Sequence, residues 1–384
     1  MTRLSPWGRR ESMLRLGISM MFHDRSKLLG TSLGVIFATV LMIQQVGTLF
    51  GLLYKNTQFV DNAAADIWIV PPATQQALPG SAIPFSVLPR TRVTEGVDWA
   101  EPLLMGGAAM MRPDGGREGL TLVGTTLPRL AGGPWAMVAG EAKSIATADT
   151  VIVDDGQRAA LGGVNLGSIR ELSGRKVTIE GFTWGLIPFG PGYAFAGYET
   201  ARSILRLPSD QTSFVLVGVK PNGSPEAVAA ELRRVLGPEV EVYTKQGFHD
   251  AIVSYLLGAQ IGITFGTSTA FALIVGFVIV SLSMFSAVVD NVREFGVLKA
   301  MGATNLDLTV LLLGQASIYA VTGTTIGLFL ATLMAEGIRS ANLVLVLPSE
   351  LLFGAYGLMA VLCAAASMLA IFRVRNIEPG MVFR

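Results

Sequence analysis

The sequence is poor in the residues that build reactive or metal-binding centres. Its 384 residues include one cysteine and two histidines, and only 15% are Asp, Glu, Lys or Arg. Ordinary soluble domains carry about 25% charged residues. A single cysteine cannot form a disulfide framework or a thiolate metal site. A formal net charge of +1 offers no broad basic surface, so we do not expect nucleic acid as a partner.

Sequence motifs that carry chemistry are missing as well. The chain has no H-E-x-x-H, no G-x-S-x-G and no phosphate-binding G-x-x-x-x-G-K-[ST] element. His23 and His249 lie far apart in the sequence, on opposite sides of the membrane in the topology derived below. We therefore expect no catalytic residue, cofactor or metal site, and no enzymatic activity of this chain's own.

Long hydrophobic stretches are what the sequence does contain. Hydrophobic residues make up 51% of the chain, and four long, strongly apolar stretches hold no charged residue: 28–54, 251–289, 308–335 and 351–372. Each exceeds the ~20 residues that a helix needs to cross ~30 Å of hydrocarbon. We predict four transmembrane helices. The first is longer than the apolar core of about 7–15 residues in a signal peptide, so we interpret it as a retained anchor.

Short flanking segments indicate the orientation. The segments before the first helix and after the fourth are rich in arginine, whereas the loop 336–350 has Arg339 as its only basic residue. The positive-inside rule then places both termini in the cytoplasm and the large domain outside it. The predicted order begins with an amphipathic cytoplasmic helix (1–27), the first membrane helix with a stalk (28–54) and the outer domain (55–250). A stalk with the second membrane helix (251–289), a cytoplasmic helix (290–307) and the third membrane helix (308–335) follow. The chain ends with a short outer loop (336–350), the fourth membrane helix (351–372) and a cytoplasmic tail (373–384).

The predicted outer domain mixes strand and helix patterns. Short runs rich in Val, Ile and Thr predict strands near 65–70, 119–125, 150–155, 176–182 and 213–219. Amphipathic helices are predicted at 198–207 and at 224–237, where Ser224 is placed as a cap and Gly237 as a stop. The expected fold is a membrane protein of four transmembrane α-helices with a large α+β extracytoplasmic domain between helices 1 and 2.

Two loop-like segments of this domain, 70–89 and 182–195, are unusually apolar. Their large apolar residues include Ile83, Phe85, Trp184, Ile187 and Phe189. An exposed apolar patch of this kind suits a hydrophobic cargo or an adaptor protein. The alternative is that both segments pack under the domain as ordinary loops.

Glycines recur at a four-residue spacing in the predicted membrane helices. The longest series is Gly258, Gly262 and Gly266, and the shorter pairs are Gly30/Gly34, Gly47/Gly51 and Gly323/Gly327. Small residues at this spacing let helix backbones approach each other in lipid. We predict tight packing there, either within one protomer or across a homodimer.

The cytoplasmic segment 290–307 is amphipathic. Its residues of interest are Arg293, Glu294, Phe295, Leu298, Lys299, Met301 and Gly302. The charged residues can face water or a partner while the apolar residues bury against lipid or a groove, so we predict that an intracellular protein binds here. An inert turn helix is the alternative.

This segment resembles the loop after the second transmembrane helix in MacB/FtsX-type permeases of ATP-binding-cassette (ABC) systems. The residues that match that pattern are Arg293, Glu294, Phe295, Gly296, Lys299, Ala300, Gly302 and Ala303. One helix, a large outer domain and three further helices are also similar to that family over the full chain. The stretches "DRSKLLGTSLGVIFATVLM" and "ADIWIV" resemble the DevC branch most.

The resemblance implies an inner-membrane permease subunit. It implies a homodimer with two copies of a separate ATPase that binds ATP and Mg, with the helix 293–304 seated in the ATPase surface. ATP-driven motion would pass through the long first and second helices to the outer domain. The DevC branch implies a periplasmic adaptor and export of a hydrophobic cargo such as lipid, glycolipid or a drug-like molecule. The alternative is a non-transporting, FtsX-like scaffold that regulates an extracytoplasmic protein.

Overall fold

The computed structural model describes residues 25–74, 81–186, 190–258, 260–338 and 346–375. The chain divides into two compact units. We call residues 1–50, 263–338 and 345–384 the helical unit, and residues 51–262 and 339–344 the sheet unit. Of the predicted N-terminal helix and C-terminal tail, only 25–27 and 373–375 lie within the described residues.

Nine α-helices occur in the described part of the chain. They are α1 (Arg25–Asn62), α2 (Val87–Arg92), α3 (Tyr198–Leu205), α4 (Pro225–Leu236), α5 (Lys245–Gly258), α6 (Gln260–Asp290), α7 (Val292–Ala300), α8 (Asn305–Ile338) and α9 (Ser349–Arg375). Four spans are long and apolar enough to cross a membrane: Leu28–Asn62, Ile261–Asp290, Asn305–Gly337 and Ser349–Phe372. The prediction of four membrane helices is confirmed.

The predicted second helix with its stalk, 251–289, is helical on both sides of residue 259, which lies outside the described residues, so its bounds stay a prediction. Residues 245–258 form α5, which belongs to the sheet unit and buries Phe248, Ile252 and Leu256. Helix α6 is described from Gln260. A Cβ added at Gly262 would lie 2.1 Å from the carbonyl oxygen of Leu257, so position 262 has no room for a side chain.

The sheet unit is built on one large sheet. Its strands are β1 (Ile67–Val70), β3 (Val97–Met111), β4 (Arg117–Thr125), β5 (Met137–Gly140), β6 (Thr150–Asp154), β7 (Ile169–Leu172), β8 (Arg175–Thr183), β9 (Gly192–Gly197), β11 (Phe214–Val219) and β12 (Glu241–Thr244). Their order is β12-β1-β11-β3-β4-β9-β6-β8-β5, with β7 beside β3 and β8. A separate pair joins β2 (Ile83–Pro84) to β10 (Gln211–Thr212). The predicted α+β domain between membrane helices 1 and 2 is confirmed.

Helices α3 and α4 cover the sheet through their apolar faces. Ala201 and Ile204 of α3 pack in one buried cluster with residues of the central strands. Val228 and Leu232 of α4 pack in a second cluster with residues of β1 and β11. Ser224 accepts a hydrogen bond from the Ala227 amide at 3.3 Å and caps α4, as the sequence predicts.

The last turns of α1 are embedded in the sheet unit. Phe59 is fully buried, and its ring centroid lies 5.9 Å from that of Trp68 and 5.3 Å from that of Tyr193. Burial raises the pKa of the Tyr193 hydroxyl. Residues 25–50 of the same unbroken helix belong to the helical unit. One continuous helix therefore connects the two units covalently.

Candidate functional site

Helix α7, between α6 and α8, is anchored to the helical unit by one aromatic side chain. Phe295 is 2% exposed and lies in a buried cluster with Val288, Leu308 and Leu311. Leu298 is partly buried against the same cluster. One face of α7 is therefore occupied by residues of the chain itself.

A glycine ends α7 in a defined geometry. Gly302 has φ of +92°, a conformation that L side chains rarely adopt. The Gly302 amide donates to the Lys299 carbonyl at 3.0 Å, and the Ala303 amide donates to the Leu298 carbonyl at 2.9 Å. This pair of bonds is a Schellman motif. It satisfies the last carbonyl groups of the helix and turns the chain toward α8.

Helix α8 begins at Asn305 and is preceded by a reciprocal cap at Thr304. The Asp307 carboxylate accepts from the Thr304 amide at 2.9 Å and from the Thr304 hydroxyl at 2.8 Å. The Thr304 hydroxyl accepts in turn from the Asp307 amide at 3.3 Å. Such a capping box fixes the start of a helix. The short connection from α7 to α8 is thus held by backbone and side-chain hydrogen bonds on both sides.

The opposite face of α7 is open. Val297 follows Arg293 by four residues and Glu294 by three, and Met301 follows Val297 by four, so these residues share one side of the helix and its C-terminal cap. Arg293 and Glu294 are exposed, Val297 is 43% exposed and Met301 is 77% exposed. Leu306, in the first turn of α8, is 73% exposed. We call Arg293, Glu294, Val297, Met301 and Leu306 the α7 tip.

This geometry corrects one prediction. Phe295, Leu298 and Met301 do not turn together toward lipid or a partner, because Phe295 is buried in the protein and Leu298 packs beside it. Only Met301 among the three is largely exposed. Lys299 is partly buried. The other exposed apolar residues on the open side are Val297 and Leu306, which were not predicted from the sequence.

Comparison with known families covers both units. Residues 28–235, more than half of the chain, match the MacB-like periplasmic core domain. Residues 266–379 match the FtsX-like permease C-terminal domain, which includes the α7 tip. The chain belongs to the MacB/FtsX-type superfamily of ABC transporter permeases.

A curated relative agrees with this assignment. The chain is 28% identical over 139 residues to an uncharacterized ABC transporter permease of Methanocaldococcus jannaschii. That alignment spans 33% of each protein, so the chain covers about a third of the relative.

Two solved structures show weaker likenesses. The extracellular domain of a noncanonic ABC-type transporter, YknZ, from Gram-positive bacteria aligns with 47% of this chain and 99% of that one at 12% identity and a TM-score of 0.35. The periplasmic region of MacB from Actinobacillus actinomycetemcomitans aligns with 53% and 99% at 9% identity and a TM-score of 0.37. The family assignment depends on the two domain matches and not on these structures.

In this MacB/FtsX-type permease, glycines bring α1 close to α6 and α8. A Cβ at Gly34 would lie 2.5 Å from Ile279, and one at Gly276 would lie 2.3 Å from Ala38. On α8, a Cβ at Gly323 would lie 2.6 Å from Val35, and one at Gly327 would lie 2.7 Å from Thr39. These distances are shorter than real Cβ contacts, so a larger residue at any of these glycines would require the neighbouring side chain or helix to shift.

The glycine series predicted on helix two lies on both sides of residue 259, which is outside the described residues. Gly258 ends α5, whereas Gly262 and Gly266 belong to α6. No described atom lies within 4 Å of a Cβ built at Gly258 or Gly266. Gly47 and Gly51 of α1 are buried, and the Gly47 carbonyl accepts from the Val346 amide at 3.2 Å. Contact with a second copy at these glycines stays a prediction.

The prediction of an exposed apolar surface is wrong for Ile83 and Phe85, whose segment packs as the stated alternative expects. Ile83 is 1% exposed and Phe85 packs against two buried clusters, because the Phe85 amide donates to the Asp210 carbonyl at 2.7 Å and β2 pairs with β10. In its described part, the segment 70–89 is therefore packed within the sheet unit, where it forms β2 and the first turn of α2. Trp184 is 53% exposed, and Ile187 and Phe189 lie outside the described residues.

Proposed function

We propose that this permease couples a separate ATPase to motion of its sheet unit, and that the α7 tip is where the ATPase binds. The observation that supports this most is the pairing of a buried Phe295 with an exposed Val297 and Met301 on one short helix. Such a helix can grip a partner on one side while it remains fixed to α6 and α8 on the other. The resemblance described above adds ATP and Mg as ligands of the partner ATPase, two ATPase copies and a second permease copy.

The force path that we propose runs through α1. Its 38 residues span about 57 Å at 1.5 Å per residue, well beyond the ~30 Å of a bilayer core. Its last turns carry Phe59 in the aromatic core of the sheet unit.

We propose the orientation and cargo on other grounds. The arginines before α1 and after α9 support cytoplasmic termini and a sheet unit on the periplasmic side of an inner membrane. Within the described part of the predicted apolar surface, Trp184 is an exposed residue. Its exposure supports binding of a hydrophobic cargo or a periplasmic adaptor at the loop after β8. We also propose that the chain belongs to the DevC branch, which implies such an adaptor and cargo.

The test of ATPase binding should change Met301 and leave Phe295 intact, since Phe295 packs inside the protein. Met301→Glu places a charge in the proposed interface, and we expect it to weaken ATPase binding at least about tenfold, equivalent to ~1.4 kcal/mol. Val93→Glu is the matched control, because Val93 is 84% exposed on the sheet unit. Binding of the purified ATPase and its stimulated ATP hydrolysis would be measured in nanodiscs, together with thermal unfolding.

The proposal fails if both variants bind the ATPase like the wild type. A second measurement separates transport from signalling. With ATPase and adaptor reconstituted, an exporter shows hydrolysis stimulated by lipid or drug and net efflux of that cargo. A signalling scaffold of the FtsX-like kind responds only to a protein ligand and moves nothing.

A further inference from the structure

The sheet unit contains an open pocket that no feature of the coupling proposal uses. Its volume is about 400 Å³, and it lies where the end of β3, the start of β4, the turn between β7 and β8, and the end of α3 meet. Small-molecule sites have volumes of about 300–1,000 Å³. Its lining includes Met111 and Ile204, and its charged residues are Arg117, Glu171 and Arg206, all three of which are exposed.

The charges in this pocket are not neutralised within the described chain. Arginines elsewhere on the sheet unit pair with acids, such as Arg158 with Asp155 at 3.0 Å and Arg234 with Glu231. Among the described residues, Arg117, Arg206 and Glu171 have no such ion pair or side-chain hydrogen bond. Two guanidinium groups and one carboxylate give the pocket a formal charge of +1.

Arg206 occupies a position where its residue type is unusual. It follows α3 with φ of +53° and ψ of +35°, the left-handed conformation that glycine or asparagine normally adopts at a helix end. An arginine there loses about 1 kcal/mol of backbone free energy relative to glycine. The guanidinium group that this backbone position carries lines the pocket. A residue that breaks a local rule often serves a site.

We infer that this pocket binds the anionic group of a small ligand, a phosphate or a carboxylate, between Arg117 and Arg206. Guanidinium groups offer planar, paired donors that match both anions. Glu171 opposes the anion electrostatically and sets a limit on its affinity. Met111 and Ile204 accommodate a small apolar part of the same ligand. The anion can come from a solute or from the head group of an acidic phospholipid.

Isothermal titration of the full chain in zwitterionic nanodiscs tests this inference, with inorganic phosphate and butyrate as probes. We expect saturable binding of at least one probe that weakens as salt is raised. The double variant Arg117→Gln/Arg206→Gln should lose about tenfold or more in affinity. Glu171→Gln should bind more tightly, because it removes the like charge. Arg234→Gln is the control, since Arg234 is 73% exposed on α4 and does not line the pocket.

The opposite effects of the arginine and glutamate variants distinguish an anion site from a general loss of structure. Absence of saturable binding by either probe, or equal affinity in all variants, overturns the inference. Repeating the titration in nanodiscs that contain phosphatidylglycerol identifies the source. A lower apparent affinity in wild type, but not in the double variant, indicates that the lipid head group competes for the pocket. Unchanged affinity indicates a soluble anion.

Discussion

Lys55 of α1 donates a hydrogen bond to the carbonyl oxygen of Gly185, in the loop that follows β8. The lysine is 3% exposed although it carries a charge. The same loop is held by Asp154, whose carboxylate accepts from the Leu186 amide at 2.8 Å and from the Thr183 hydroxyl at 3.2 Å. The end of α1 is therefore tied to the loop that exposes Trp184 by a buried polar contact.

Lys55→Met should loosen this loop. The substitution keeps the aliphatic stem but leaves the Gly185 carbonyl without the ammonium donor, which lowers the free energy of unfolding of the sheet unit by about 1–3 kcal/mol. Hydrogen exchange of the Leu186 amide should speed up as well. Lys220→Met, at an exposed lysine of the same unit, should change stability by less than about 0.5 kcal/mol. Equal exchange at Leu186 in both variants would show that Lys55 does not hold the loop.

Phe295→Ala should damage the permease itself. Phe295 fills a buried cluster, so its truncation leaves a cavity and lowers the free energy of unfolding by about 3 kcal/mol. Val297→Ala, on the open face of the same helix, should leave stability within about 0.5 kcal/mol of wild type while it weakens ATPase binding. Thermal unfolding in nanodiscs and ATPase binding separate the two effects. The assignment of inward and outward faces is wrong if Val297→Ala destabilises the chain as much as Phe295→Ala.

Local signals explain which parts of the fold the sequence predicts. The strand runs near 150–155 and 213–219 and the cap at Ser224 depend on neighbouring residues, and the structure has them as β6, β11 and the start of α4. Strand β3 was missed because Pro102, Gly106 and Gly107 interrupt its pattern. Gly106 is in fact used for packing, since a Cβ there would lie 2.6 Å from Leu205.

Positions that depend on distant residues could not be predicted in the same way. Ile83 and Phe85 were predicted to lie on the surface because their neighbours in the sequence form no regular pattern. Their burial depends on the pairing of β2 with β10, which lies more than 120 residues later in the chain. Helical spacing places Phe295 and Leu298 on one face and Val297 and Met301 on another. Both faces carry large apolar residues, so the spacing of those residues does not show which face meets α8 and which one is open.

Gly302→Ala should distort the turn between α7 and α8. Gly302 has φ of +92°, and a Cβ in this conformation is strained by about 1–2 kcal/mol. We expect a lower unfolding midpoint and weaker ATPase stimulation, because Met301 loses its fixed place. Gly302→Asn is the comparison, since asparagine tolerates positive φ better than alanine. A Gly302→Ala variant as stable and as active as Gly302→Asn would falsify the role of this turn.

Gly276 and Gly266 lie on the same helix, α6, and offer a matched pair for the last prediction. A Cβ at Gly276 would lie 2.3 Å from the Ala38 Cβ, whereas no described atom comes within 4 Å of one at Gly266. Gly276→Ala should therefore push α1 and α6 apart and lower the free energy of unfolding by about 1–3 kcal/mol. Gly266→Ala should be neutral or slightly stabilising, because alanine favours helix by about 1 kcal/mol.

The same pair tests the predicted homodimer. If Gly266 packs against a second copy, Gly266→Leu should reduce crosslinking between copies in nanodiscs without lowering the thermal stability of the protomer. Gly276→Ala should instead lower the thermal stability of the protomer, and any loss of crosslinked dimer should follow from that lower stability. If Gly276→Ala proves as stable as Gly266→Ala, the close packing of α1 on α6 is wrong. If Gly266→Leu leaves crosslinking unchanged, the open face of α6 contacts lipid and the dimer forms through another surface.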